Sequence, residues 1–152
     1  MPKISKETPL SEITLRRYEN PGDSSGRVII RKLCLSLGLL QPGDSRDIIV
    51  DILYVLIKAR NSKKSLSSTE IEQEVIAERK KEKLPLLGIA PSNIRRQLRR
   101  LREIFLVEKT ANRYSISEFA PVTEIFEEKI AGFYLNSITA RIREYCEKAD
   151  KL

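Results

Sequence analysis

The stretch that decides the fold is residues 91–117, PSNIRRQLRRLREIFLVEKTANRYSIS. Ile94, Leu98, Leu101 and Phe105 stand at i, i+4, i+7 and i+11, which is one narrow apolar stripe of an amphipathic helix. Pro91 sits at a first-turn position, where its missing N–H costs nothing. At ~100° per residue, Arg96 points almost directly away from the stripe, flanked by Ser92, Arg99 and Arg100, with Arg95 at the boundary. Five arginines, Arg95, Arg96, Arg99, Arg100 and Arg102, precede the first acid, Glu103. They repel one another at i, i+3 and i, i+4, so solvation alone does not favour the arrangement, and an anionic partner relieves it. Arginine's planar fork also matches guanine O6 and N7 in the major groove and clamps phosphates. Directly after the helix, residues 106–109 and 113–116 read as two short strands joined by a tight turn, Thr110-Ala111-Asn112, in which asparagine tolerates positive φ.

Upstream, LSSTEI (66–71) carries a helix start: Ser67 caps, Glu70 completes a capping box, and Leu66 and Ile71 occupy the staple positions. That helix, 68–82, buries Ile71, Val75 and Ile76 until the charged run 79–83, and Pro85 and Gly88 end it. Before it, DIIVDILYVLIKA (47–59) is apolar on most faces, the expected centre of the core, with Asp44 or Ser45 placed to cap it. Residues 27–40 form a further helix, and QPGDS (41–45) breaks the pattern. The first 26 residues, rich in Pro, Gly, Ser and charge, read as a flexible arm without core, ordered at most around ITLRRYE.

Helix with capping box, turn, GIAPSNIRRQLRRL and two strands closing on RYSIS together resemble the winged helix-turn-helix domain of prokaryotic transcription regulators. The resemblance covers roughly 47–117. It implies a mainly α fold with a small two- or three-stranded β-wing, extended here by N- and C-terminal helices, and double-stranded DNA as partner. The helix from Pro91 becomes the recognition helix, with Ser92, Asn93, Arg95, Arg96, Arg99 and Arg100 on or near the DNA. Lys109 and Arg113 flank the wing tip, where the family contacts backbone or minor groove. One departure stands out: RKKEKLPLLG (79–88) replaces a turn of a few residues, so either the second helix is extended or a basic loop is inserted. Arg79, Lys80, Lys81 and Lys83 there either reach phosphate or form a solvated face.

Charge supports a polyanionic partner. The formal net charge is +7, carried by residues 1–117, while 118–152 is weakly acidic and is excluded as a DNA clamp. In that tail Val122, Ile125, Phe126, Ile130, Phe133, Ile138, Ile142 and Tyr145 recur at mixed three-, four- and five-residue spacings. It reads as one long helix or two with a bend, either pairing with a second copy into a homodimer or folding back on its own core. The domain organisation is therefore an arm (1–26), an accessory helix and turn (27–46), the winged unit (47–117) and a dimerisation segment (118–152).

Other classes find little support. There is no histidine, no Walker loop, no GxGxxG and no clustered carboxylates, so no enzyme, metal or cofactor is expected. Cys34 and Cys146 lack metal-site spacing and read as packed or free thiols. No apolar run approaches a membrane span and the N-terminus lacks a secretory stretch, so a cytoplasmic, nucleoid-associated protein is expected. The leading function is a sequence-specific regulator. The alternative is an architectural or assembly module using the same fold for protein or RNA contact.

Overall fold

Helix α2 (Ile48–Arg60) organises the structure, because its sequence is apolar nearly all round and only a central position satisfies it. In the computed structural model, which describes residues 7–152, α1 (Arg27–Ser36), α3 (Ser68–Lys81) and α4 (Pro91–Glu103) surround α2. Val50, Ile52, Leu53 and Leu56 of α2 are fully buried against Cys34, Ile71, Val75, Ile94, Leu98 and Leu101. Each such aliphatic side chain contributes roughly 1.5–3 kcal/mol. Burial also pushes the Cys34 thiol up to about 12, whereas Cys146 lies exposed.

A three-stranded antiparallel sheet closes one side: β1 (Leu66–Ser67), β2 (Val107–Thr110) and β3 (Arg113–Ile116), in the order β1-β3-β2. Leu66 pairs with Tyr114 and Val107 with Ile116, so the buried alternate residues of the strands cover the core. Ala111 and Asn112 both have positive φ, 51° and 61°, the conformation that lets a two-residue turn follow the twist of its strands.

The start of α3 is as expected. Ser67 Oγ accepts from the Glu70 N–H at 3.1 Å, and the Ser67 N–H donates to Glu70 Oε1 at 2.8 Å. Ser67→Ala is expected to cost ~1 kcal/mol of unfolding free energy, read as a lower urea midpoint. Thr69→Ala, on the exposed side of the same turn, should stay within ~0.5 kcal/mol.

The structure departs from expectation in several places. Helix α1 stops at Ser36 rather than residue 40, because Gly38 adopts a φ of 72° and a Cβ there would lie 2.7 Å from the Thr14 carbonyl. Leu37, Leu39 and Leu40 still enter the core from the turn. The cap residue of α2 is Asp47, not Asp44 or Ser45, and its carboxylate makes no cap bond because arginines hold it. Asp44 accepts instead from the Arg46 N–H. Helix α4 ends at Glu103, and Phe105, with a φ of 68°, leaves the helical stripe to meet Phe133 and Tyr134 edge-on.

The arm departs furthest from its expected lack of core. Among its described residues, Ile13 and Tyr18 pack against the core. Arg16 donates to the carbonyls of Leu35 and Leu40 and to Gln41 Oε1. The first six residues of that expected arm lie outside the described residues.

The C-terminal segment runs as α5 (Val122–Ile125), a π-helical stretch (Phe126–Leu135) and α6 (Asn136–Asp150), with helical dihedrals across both junctions. The wider π turn explains the five-residue step from Ile125 to Ile130, since both are buried on one side. Gly132 permits it: any Cβ there would lie 2.7 Å from the Glu127 carbonyl oxygen. Residues 122–130 therefore fold back onto the body, while no residue of α6 is buried.

Candidate nucleic-acid interface

Helix α4 divides into three longitudinal stripes. Ile94, Leu98 and Leu101 face the core. Asn93, Gln97 and Arg100, at i, i+4 and i+7, form a polar chain beside them. Asn93 Nδ2 donates to the Gly88 carbonyl at 2.7 Å, and Asn93 Oδ1 accepts from Gln97 Nε2 at 3.1 Å. Arg100 then donates to Gln97 Oε1 and to the Leu39 carbonyl, each at 2.8 Å. This chain ties α4 to the loop before it and to the turn after α1.

The third stripe faces solvent. Ser92, Arg95, Arg99 and Arg102 succeed one another at three- and four-residue steps, with Arg96 alongside, and all five are exposed. None of the four arginines has an ion-pair partner among the described residues. Three like-charge neighbours at i, i+3 or i, i+4 (95–99, 96–99, 99–102) cost roughly 0.2–0.5 kcal/mol each. The face thus holds about 1 kcal/mol of self-repulsion that a polyanion would remove. Arg96 also donates to Asn93 Oδ1 at 3.0 Å, which aims its guanidinium toward the N-terminal end of the helix.

These positions revise the sequence-derived site. Arg95, placed at the boundary, points outward, and Arg102, left out, completes the row; its seven-residue distance from Arg95 was the available signal. Asn93 and Arg100, expected at the DNA, are half-buried and committed to internal hydrogen bonds. Lys109 is exposed near the hairpin tip, its ammonium 5.6 Å above the Tyr114 ring. Arg113 turns away from the tip: it donates to the Ser65 hydroxyl and carbonyl and pairs with Glu70 at 3.0 Å. The Ser67 N–H, followed by the Arg113 charge, holds the Glu70 carboxyl below its usual range.

The basic stretch after α3 resolves into helix and loop. Helix α3 extends to Lys81, and residues 82–90 form a loop without regular structure. Lys80, Lys81 and Lys83 are exposed. Arg79 is not: only 1% of its side chain is accessible. Its guanidinium donates to Asp47 Oδ1 at 3.0 Å, Asp51 Oδ2 at 2.6 Å and the Pro85 carbonyl at 2.8 Å. Arg27 bridges the same two aspartates, and Arg31 joins through Asp47. Three arginines and two aspartates thus clamp α1, α2 and α3 together and hold the loop that leads into α4. No buried side-chain nitrogen or oxygen among the described residues lacks a partner.

No helix among the described residues is long and apolar enough to cross a membrane. Comparison with family models, curated proteins and solved structures gives no match.

Proposed function

We propose that this chain is a winged helix-turn-helix protein that binds double-stranded DNA sequence-specifically, as a transcriptional regulator. The observation that carries the reading is the row Arg95, Arg96, Arg99 and Arg102, exposed and without acidic partners among the described residues, on a helix whose other sides are fixed by core and polar contacts. A rigid helix with outward arginine forks suits a major groove, where guanine edges and flanking phosphates accept from them. Order and pairing of the elements support the reading: a helix, a short strand, two helices and a hairpin whose second strand joins the first. In it the hairpin is the wing, and Lys109 meets the backbone. Lys80, Lys81 and Lys83 add charge to the approach.

The reading includes a second copy of the chain, held through the outward C-terminal helix. Two α4 helices would then enter major grooves about one turn, ~34 Å, or a multiple of it apart. A gel shift against genomic fragments with excess competitor DNA tests the proposal. The expected result is a discrete complex on pseudo-palindromic fragments, at least ~10³ tighter than on competitor. Binding that competitor abolishes for every fragment would replace the regulator with an architectural role. No binding to any DNA would sink the proposal and leave protein or RNA contact.

A further inference from the structure

A repeat runs through the C-terminal helix. Leu135 at the end of the π stretch, Ile138, Ile142, Tyr145 and Ala149 on α6, and Leu152 just past its end follow one another at steps of three, four, three, four and three residues, the spacing of a and d positions in a heptad. Leu135 and Ile138 are half-buried, whereas Ile142 is 54% and Tyr145 72% exposed. Such a seam suits a helix of the same repeat, because the 3.5-residue period keeps an apolar line in contact only with a partner that supercoils with it. A second copy of this chain supplies that helix.

The fold leaves the seam partly open, as at Ile142 and Tyr145. Ile125 and Ile130 face the body, and the π stretch around Gly132 ends at Leu135, where the seam begins. Residues 7–11 run beside it, forming with Ile138, Ile142 and Tyr145 an open groove of about 580 Å³. Leu10, 94% exposed, stands on the groove's rim.

Charge selects the orientation. With Leu135, Ile142 and Ala149 at a and Ile138, Tyr145 and Leu152 at d, the g positions are Arg141 and Lys148 and the e positions Thr139 and Cys146. Antiparallel helices oppose g with g, which sets Arg141 of each copy against Lys148 of the other. Parallel helices oppose g with the following e, so Arg141 meets the uncharged Cys146. The Arg141 guanidinium is held by Glu144 of its own helix at 2.7 Å. We propose that two copies associate as a parallel, in-register coiled coil through α6, residue 142 against 142 and 145 against 145. This specifies the dimer of the proposed function and does not depend on DNA binding.

Light scattering on the intact chain at about 100 µM should give a dimer. Ile142→Glu should raise the dissociation constant by about 100-fold or more and leave the circular dichroism of the body unchanged, since no residue of α6 is buried. Tyr145→Cys in a Cys146→Ser background should form a disulfide-linked dimer on mild oxidation, because parallel d layers bring the two positions together and antiparallel pairing opposes d with a. A monomer, a dimer indifferent to Ile142→Glu, or no cross-link would each overturn the proposal. A cross-linked dimer that binds no DNA would support it while removing the DNA reading.

Discussion

Replacing Arg79 with methionine is expected to lower the unfolding free energy by about 3–5 kcal/mol, measured as a shift of the urea midpoint at unchanged slope. The side chain is 1% accessible, and it satisfies Asp51, which is 0% accessible, as well as Asp47 and the Pro85 carbonyl. Methionine keeps much of the volume and removes every donor. Asp51 Oδ2 then keeps only the Arg27 guanidinium, at 3.1 Å, and the Pro85 carbonyl loses its side-chain donor. Arg31→Ala provides the contrast, because its side chain is 30% accessible and reaches only Asp47 of the two aspartates, besides the Asp44 carbonyl. There the loss should be ~1 kcal/mol or less. Adding Asp51→Asn to Arg79→Met should recover part of the loss, with a coupling of about 0.5–3 kcal/mol. Additive losses would show that the two groups do not act as a pair.

The same cluster sets an acid limit. Burial works to raise the Asp47 carboxyl, but the hydrogen bonds and charges of Arg27 and Arg79 outweigh it and hold the group below its ordinary 3.8. A carboxyl whose pKa is lowered on folding binds fewer protons in the native state than in the unfolded chain. Its stabilisation is therefore complete above the ordinary value and is lost as pH falls through the lower, folded-state value. The acid loss of stability should begin below about pH 4 and should be smaller in Asp47→Asn.

Local signals were legible in the sequence; long-range polar pairing was not. The capping box spans four residues, Ser67 to Glu70, and its bonds form within one turn whatever surrounds them. The core stripe of α4 was readable because three residues at helical spacing need only one apolar neighbour. Arg79 looked like the first member of an exposed RKK run facing phosphate or solvent, since its partners Asp47 and Asp51 lie 32 and 28 residues away, at the cap and in the first turn of an apolar helix. Arg100 was expected outward beside Arg96 for a related reason: only the Leu39 carbonyl, supplied by the turn at Gly38, draws it back toward the body. The five-residue apolar step in the tail was visible, yet nothing local distinguishes a bend from a π turn until the Glu127 carbonyl is placed against Gly132.

In the proposed DNA complex, Arg96→Ala is expected to weaken binding to the preferred site by ~1–3 kcal/mol, with much less effect on scrambled DNA. Arg96 is exposed in the N-terminal half of α4 and is steered there by Asn93, so its fork is oriented before any duplex arrives. A preorganised bidentate donor discriminates between bases, because the wrong base leaves its N–H groups unpaired. Lys109 is a point charge near the hairpin tip and should meet phosphate. Lys109→Ala should weaken matched and scrambled DNA alike and reduce the salt slope by ~0.9 per subunit. Arg100 separates folding from recognition, since its guanidinium is spent on Gln97 and Leu39. Arg100→Ala should lower the urea midpoint while leaving the ratio of matched to scrambled affinity unchanged. Affinities for both DNAs at several salt concentrations, with a denaturation curve for each variant, separate the three roles. Equal losses on both DNAs for Arg96→Ala would make it a phosphate contact and turn the base-reading side of α4 toward Arg95, Arg99 and Arg102.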